Sequence, residues 1–202
     1  MTKIKLCGLS RPADIAAANA LRPDYVGFVF APNSRRHVDA ERAARLRRLL
    51  APGIQAVGVF VDERPEHIAE LLRRGVIDIA QLHGAEDAAY LARLRRLSGK
   101  PIWKAFRVKT AADLDAALSC PADEILLDSG AGTGSVFDWE LLRGMARPYF
   151  LAGGLSPANA EAAVRALRPR GVDVSSGIET EGRKDSEKMA AFMAAVRRGE
   201  GT

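Results

Sequence analysis

The chain contains few of the residue types from which disulfides and metal sites are built. Cysteine occurs twice and histidine three times in 202 residues, and aromatic residues make up 6%. Cys7 and Cys120 lie far apart in the chain, and the three histidines show no helical pairing. We therefore expect neither a disulfide nor a metal site.

The sequence also lacks long apolar runs. None approaches the roughly 18 residues that a membrane-spanning helix needs, so no membrane partner is expected. The first residues, MTKIKLCGLSRP, enter a predicted strand directly and lack the apolar core of a signal peptide. These features favour a cytoplasmic protein. The length and even composition favour a single domain over residues 1–202.

Positive charge is in excess, with a formal net charge of +5. The arginines fall in helical segments such as 41–50 and 91–97, where they alternate with apolar residues. Such runs are typical of the solvated faces of amphipathic helices, and no aromatic residues are interleaved with them. We therefore expect no nucleic-acid partner, although a mild positive field would attract an anionic substrate.

Strand-like and helical segments alternate along the whole chain. Strands are predicted over 4–7, 25–30, 55–61, 77–82, 102–106, 124–128, 149–153 and 171–176. Helices are predicted over 12–20, 39–50, 65–74, 87–97, 111–118, 138–145, 157–167 and 185–198. Eight such units predict the α/β class and a closed (β/α)8 TIM barrel, with an open doubly wound sheet as the alternative.

Cys7 ends the first predicted strand, which is where such a barrel keeps catalytic groups. Alternate strand residues face the same side, so Lys5 and Cys7 share one face and Ile4 and Leu6 share the other. If the apolar pair packs against helices, the thiol points into the barrel mouth and could accept a proton. Free cysteine is also a common buried residue, so position alone leaves both interpretations open.

Asp128 ends the apolar run of the sixth predicted strand and precedes the glycine-rich segment 129–135. An aspartate there could cap a turn. A carboxyl group in a partly apolar mouth can also have its pKa raised and serve as a general acid.

Two further strand ends run into turns suited to a phosphate. The residues concerned are Gly153, Gly154, Ser175, Ser176 and Gly177. The turns after strands seven and eight are the usual phosphate site of such barrels, which bind through backbone N–H groups and helix dipoles. Ordinary turn chemistry is the alternative, but the coincidence of both turns favours phosphate binding. Together with Cys7 and Asp128, these two turns predict acid–base chemistry on a small phosphorylated molecule.

Two charged positions complete the candidate site. Asp173 alternates with Val172 and Val174 and is therefore predicted to face inward, where its carboxylate needs a partner such as a substrate hydroxyl or amine. Arg35 and Arg36 follow the second strand, and one of them could clamp a substrate carboxylate. Position alone does not choose between the two arginines.

Six motifs lie in order over residues 3 to about 193: KIKLCGL, YVGFVF…SRRHV, QLHG, LLDSGAGTGSVFDW, FLAGGLSP and GVDVSSGIE…GRKD. Together they resemble the motifs of the phosphoribosylanthranilate isomerase family. The resemblance implies a (β/α)8 barrel of tryptophan biosynthesis that needs no cofactor. Its reaction converts N-(5-phosphoribosyl)anthranilate into 1-(2-carboxyphenylamino)-1-deoxyribulose 5-phosphate. The expected partner is a small-molecule phosphosugar, and a monomer is expected, with a homodimer as the alternative.

The resemblance also implies a role for each candidate residue. Cys7 matches the general base and Asp128 the general acid, Arg36 the arginine on the anthranilate carboxylate, and Asp173 an aspartate that positions the substrate near its amine. The phosphate would lie against 153–154 and 175–177, with Gln81 and His83 in supporting roles. The chain departs from the family at Ser135, where lysine is common, and at Arg35, where proline is common.

Two other functions compete with this interpretation. A related phosphosugar isomerase of histidine biosynthesis, or an enzyme that serves both pathways, would share the phosphate grip but use an aspartate where this chain has Cys7. A non-catalytic sensor of a phosphorylated ligand would be favoured if Cys7 or Asp128 were missing. The presence of both residues favours the first interpretation.

Overall fold

The strands form a closed parallel barrel in the computed structural model, which describes residues 1–128, 142 and 145–201. They are β1 (Lys3–Cys7), β2 (Tyr25–Val29), β3 (Gln55–Phe60), β4 (Ile79–Leu82), β5 (Ile102–Arg107), β6 (Glu124–Asp128), β7 (Phe150–Ala152) and β8 (Gly171–Val174). The barrel closes where β8 pairs with β1, from Lys3 opposite Gly171 to Leu6 opposite Val174. The predicted (β/α)8 barrel is confirmed, and the open sheet is wrong.

Helices connect the strands and cover the barrel. Within the described ranges they are α1 (Pro12–Leu21), α2 (Ala40–Leu49), α3 (Pro65–Arg73), α4 (Ala88–Leu97), α5 (Ala111–Ser119), α6 (Ala160–Leu167) and α7 (Ser186–Gly199). Aspartate or threonine side chains cap several of their first turns: Asp39, Asp87, Thr110 and Asp185. None of these helices has the length and apolar character needed to cross a bilayer. Most of the helix predicted over 138–145 lies outside the described residues.

The helix predicted from residue 157 begins three residues later, at Ala160. Pro157 lies in a turn, because the Ser156 N–H donates to Asn159 Oδ1 at 2.8 Å and the Asn159 N–H donates back to the Ser156 carbonyl at 3.2 Å. Proline restricts the chain equally well in a turn and in the first turn of a helix. The predicted start was therefore wrong.

The segment after β8 holds elements that the periodicity did not predict. A short 3₁₀ helix (Ser176–Ile178) is followed by the antiparallel pair β9 (Glu179–Thr180) and β10 (Arg183–Lys184). Two-residue strands are too short for alternation to reveal them. This hairpin brings two charged side chains over the barrel mouth, as described below.

An apolar cluster fills the lower part of the barrel interior. It comprises Val57, Ile79, Trp103, Ala105, Leu126, Phe150 and Ala152, with Tyr25 packed against it. The Trp103 ring lies 4.9 Å from Tyr25 and 4.7 Å from Phe150 between centroids. Gly171 leaves room for this packing, since a Cβ there would lie 2.3 Å from the Phe150 ring. Because Tyr25 and Phe150 begin their strands, the interior is apolar near the strand starts and polar at the carboxyl ends.

Candidate functional site

A cavity of about 450 Å³ lies at the carboxyl ends of the strands. Eight of the nine predicted site residues line it: Cys7, Asp128, Arg36, Asp173, Gly153, Gly154, Ser175 and Ser176. A larger cavity of about 790 Å³ at the opposite end of the barrel includes none of them. Catalytic groups of such barrels gather at the carboxyl ends, so the smaller cavity is the candidate active site.

Gly177, the ninth predicted residue, does not line the cavity. It packs against the turn after β7, and a Cβ at this position would lie 1.9 Å from the Leu155 carbonyl oxygen. Gly153 and Gly154, in that turn, have φ values of +83° and +63°, which favour glycine. The two turns therefore touch directly at Gly177, and this contact fixes their spacing at the cavity edge.

Cys7 lies on the cavity floor with 7% of its surface exposed. Gly27 faces it from β2, and a Cβ there would lie 2.6 Å from the Cys7 Sγ, so only glycine leaves room for the thiol. Burial raises the pKa of the Cys7 thiol, while attraction from Lys5 and Lys184 opposes that rise. As predicted, the side chain belongs to the inner face of β1.

Asp173 already has a protein partner, which sequence reasoning did not identify. Lys5 is fully buried and donates to both carboxylate oxygens of Asp173, at 2.9 and 3.0 Å. The predicted inward direction of Asp173 is confirmed by its place in the cavity lining. The alternation that placed Lys5 and Cys7 on one face was the available signal, because a lysine inside a barrel requires a counter-ion.

Arg36 is held at the cavity edge by Glu179 of the β9–β10 hairpin. Its Nε and Nη2 donate to the two Glu179 carboxylate oxygens at 2.6 and 2.9 Å. Lys184 donates to the same carboxylate at 2.7 Å, and so does the exposed Arg35. Within the described residues, Nη1 of Arg36 donates no protein hydrogen bond. Glu179 therefore orients the Arg36 guanidinium group, and its Nη1 is the N–H₂ group that can bind a ligand.

The hairpin is also tied to the turn after β8. Lys184 donates from Nζ to the Ser175 carbonyl at 2.8 Å, and Ser175 Oγ donates to the Cys7 carbonyl at 3.2 Å. Glu179 and Lys184 both lie in the motif GVDVSSGIE…GRKD, but no local pattern there indicated a role for either residue. Their contacts connect the predicted phosphate turn to the strand that carries the thiol.

The Glu179 carboxylate is expected to contribute to stability in a pH-dependent way. Burial by itself would raise the pKa of Glu179, but hydrogen bonding from Arg36 and Lys184 outweighs this and lowers the pKa to about 2. A lowered pKa means stability that is present above the unfolded-state value near 4.5 and lost as the pH falls toward about 2. Glu179→Gln should therefore lower the free energy of unfolding by roughly 3 kcal/mol at neutral pH.

Urea unfolding of the wild type and Glu179→Gln at several pH values checks this expectation. The difference in free energy of unfolding between the wild type and Glu179→Gln should become steadily smaller as the pH falls below the unfolded-state pKa of Glu179. Glu161→Gln is the matched control, since Glu161 also pairs with two arginines but does so on the surface, where solvent and salt screen ion pairs and they contribute little to stability. An equal loss in both variants at neutral pH would contradict the expectation.

Asp128 lies across the cavity mouth beside His83. The His83 Nε2 lies 3.4 Å from the Asp128 Oδ2, and the Asp128 side chain is 19% exposed. Gln81 lines the same wall, and its buried Oε1 accepts no hydrogen bond from the residues described. The loop glycines 130, 132 and 134 and Ser135 lie outside the described residues. One cavity therefore holds the thiol and the carboxyl group.

The same cavity bears on whether the described part of the chain can bind a metal ion. In that part, no three side chains of histidine, cysteine, aspartate or glutamate are grouped as a metal site would require. The groups that line the cavity include a thiol, carboxylates, two arginines (Arg36 and Arg107), a histidine and the backbone of two glycine-rich turns. Such groups can transfer protons and bind anions.

Comparison with known proteins identifies the family. The model of the N-(5'-phosphoribosyl)anthranilate isomerase family matches residues 4–195. The N-(5'-phosphoribosyl)anthranilate isomerase of Acetivibrio thermocellus is 43% identical, over 100% of this chain and 98% of its own length. That of Endomicrobium trichonymphae is 44% identical over 98% and 99%.

Solved structures agree with the sequence relatives. The phosphoribosylanthranilate isomerase of Thermotoga maritima superimposes with a TM-score of 0.89 at 35% identity, covering 98% of this chain and 99% of its own. A phosphoribosylanthranilate isomerase in complex with reduced 1-(o-carboxyphenylamino)-1-deoxyribulose 5-phosphate gives 0.87 at 34% identity, with the same coverage. The chain belongs to the N-(5'-phosphoribosyl)anthranilate isomerase family.

Proposed function

We propose that Cys7 is the general base and Asp128 the general acid of the family's isomerase reaction, the Amadori rearrangement of N-(5'-phosphoribosyl)anthranilate. The observation that carries this proposal is the content of one cavity: a thiol, a carboxyl group, an oriented arginine and two glycine-rich turns. Each group matches one part of the substrate, which has a sugar ring to open, a carbon acid, a carboxylate and a phosphate.

The reaction begins with a proton from Asp128. The protonated carboxyl group donates to the furanose ring oxygen as the bond from that oxygen to the anomeric carbon breaks, and the anthranilate nitrogen, which keeps its hydrogen, forms the C=N bond of a protonated imine. The Cys7 thiolate then removes the proton from the neighbouring ribose carbon. The resulting enolamine takes a proton at the former anomeric carbon and loses the proton of the hydroxyl group on the neighbouring carbon, which becomes the ketone. General acid–base groups of this kind contribute roughly 10²–10⁴ in rate.

The phosphate and the anthranilate ring of the substrate would meet different groups of the cavity. Its phosphate suits the backbone N–H groups of Gly153 and Gly154 and the Ser175–Ser176 turn. Its aromatic ring suits the apolar wall formed by Val29, Val59 and Val61. The carboxylate on that ring would then meet the remaining N–H₂ group of Arg36, and Asp173 would lie near the amine.

Turnover of freshly prepared phosphoribosylanthranilate, followed by the loss of its fluorescence and by identification of the ribulose product, tests the activity. The base must be deprotonated and the acid protonated, so the rate should show a bell-shaped dependence on pH. Absence of turnover would instead support a sensor of a phosphorylated ligand.

The two neighbouring arginines should differ in their effect on substrate binding. Arg36→Met is expected to raise KM about 10- to 100-fold, because a charge-assisted hydrogen bond to the substrate carboxylate contributes about 1.5–3 kcal/mol. Arg35→Met removes the same charge from a side chain that is 61% exposed and should change KM less than about threefold. Steady-state kinetics measure KM for both variants. A larger rise in KM for Arg35→Met than for Arg36→Met would mean that Arg35 binds the substrate carboxylate.

A further inference from the structure

Lys5 is a fully buried cation that the proposed reaction leaves without a role. Its Cα lies directly opposite that of Asp173 in the pairing of β1 with β8, and its Nζ contacts both Asp173 oxygens. Cys7 and Asp173 line the cavity, whereas Lys5 does not. The ammonium group therefore lies beneath the cavity floor, on the same face of β1 as the thiol.

Four charged side chains surround the thiol. Lys5 approaches from β1, Asp173 from β8, Lys184 from β10 and Arg36 from the segment after β2. Lys184 and Arg36 share the Glu179 carboxylate, which is 4% exposed and neutralises much of their charge. Of the two lysines on the thiol's own strand, Lys5 is the buried one, two residues from Cys7 and on the same face.

The charge state of Lys5 suits an electrostatic role. Burial by itself would lower its pKa, but Asp173 and Cys7 more than offset this, so that the pKa of Lys5 is raised and the group stays protonated. The same ammonium opposes the rise that burial causes in the pKa of Cys7. Lys5 thus favours the charged form of the Cys7 thiol.

Stability alone does not explain a lysine at this position. Desolvating a buried ion pair costs about as much as the attraction returns, and apolar residues of similar volume often replace such pairs without loss. An apolar cluster fills the nearby barrel interior, so apolar side chains of similar volume in place of both Lys5 and Asp173 would suit the fold.

We infer that Lys5 is a positioning residue for the reaction: its ammonium stabilises the Cys7 thiolate and orients the Asp173 carboxylate toward the cavity. This inference rests on the proposed function, in which the thiolate takes a proton from the substrate. Without Lys5, a smaller fraction of the enzyme holds the thiolate at neutral pH, and the proton transfer slows in proportion.

The test is a titration of the Cys7 thiolate in Lys5→Gln. Lys5→Gln is compared with the protein that keeps Lys5, and both carry Cys120→Ser so that Cys7 is their single thiol. The ultraviolet absorbance of the thiolate is obtained by subtracting the absorbance of the same two proteins with Cys7→Ser added. Lys5→Gln should raise the pKa of the thiol by about one unit or more, as expected for the loss of an adjacent opposite charge. The ascending limb of kcat/KM against pH should move by the same amount.

Lys3→Gln is the matched control, because Lys3 also pairs with an aspartate, Asp24, but at the exposed start of the same strand. It should leave the thiol titration and the pH profile unchanged. An unmoved titration in folded Lys5→Gln would overturn the inference, even if activity fell equally at every pH. Activity retained in Cys7→Ser would refute the proposed base, whereas the titration would still report on Lys5.

A second comparison covers the case in which Lys5→Gln leaves Asp173 unpaired and does not fold. Lys5→Met with Asp173→Asn removes both charges together and is compared with Asp173→Asn alone. The Lys5 change should again raise the pKa of the thiol by about one unit or more, since neither protein carries the Asp173 carboxylate that Lys5→Gln alone would leave unpaired. Equal titrations in these two proteins would overturn the inference.

Discussion

Replacing Cys7 with alanine is expected to lower kcat by about a thousandfold, because it removes the group proposed to take the proton from the ribose carbon. The substitution shortens a side chain that contacts the cavity floor and should leave the fold intact. KM should change little, since the phosphate turns and Arg36 remain. Steady-state turnover of phosphoribosylanthranilate measures both constants.

Cys120→Ala is the matched control for this prediction. Cys120 is the other free cysteine, and it caps the carboxyl end of α5 away from the cavity. The Cys120→Ala variant should retain full activity, and this result would separate the loss of the catalytic thiol from general effects of cysteine removal. Full turnover by Cys7→Ala would mean that another group serves as the base.

Asp128→Asn is expected to lower kcat by about a thousandfold, as Cys7→Ala does. An amide keeps the size and most hydrogen-bonding capacity of the side chain but cannot donate an acidic proton to the ring oxygen. The proposed step most affected is ring opening, which precedes proton abstraction. A substrate presented as the open-chain imine should therefore react with Asp128→Asn far faster than the furanose form does.

Asp115→Asn makes the same chemical change on the exposed surface of α5 and should leave kcat unchanged. Measuring both aspartate variants on the same substrate preparation distinguishes the loss of the acid from the loss of one negative charge. If Asp128→Asn matched the wild type on the furanose substrate, Asp128 would not be the acid.

Local features of the sequence were sufficient for the architecture. Alternating strand and helix periods predicted eight units, and seven helices and eight strands of the described chain lie close to the predicted ranges. Errors occurred where a local signal serves two structures. Proline fits either a turn or a first helical turn, which explains the late start of α6.

The individual catalytic candidates also followed from local sequence. Cys7 and Asp128 end strands, and the carboxyl ends of parallel strands meet at one edge of a barrel. Once the fold is closed, these residues must share a cavity, as they do. The family resemblance added the roles, which position alone left open between catalysis and burial.

The sequence by itself thus determined the fold, the family and the residues at the strand ends, because each depends on short-range periodicity or on a local motif. Only the tertiary structure decided their partners. Lys5 meets Asp173 across 168 positions, and Arg36 meets Glu179 across 143. Such contacts depend on strand register and on closure of the barrel, and no local pattern records which distant side chains these bring within hydrogen-bonding distance.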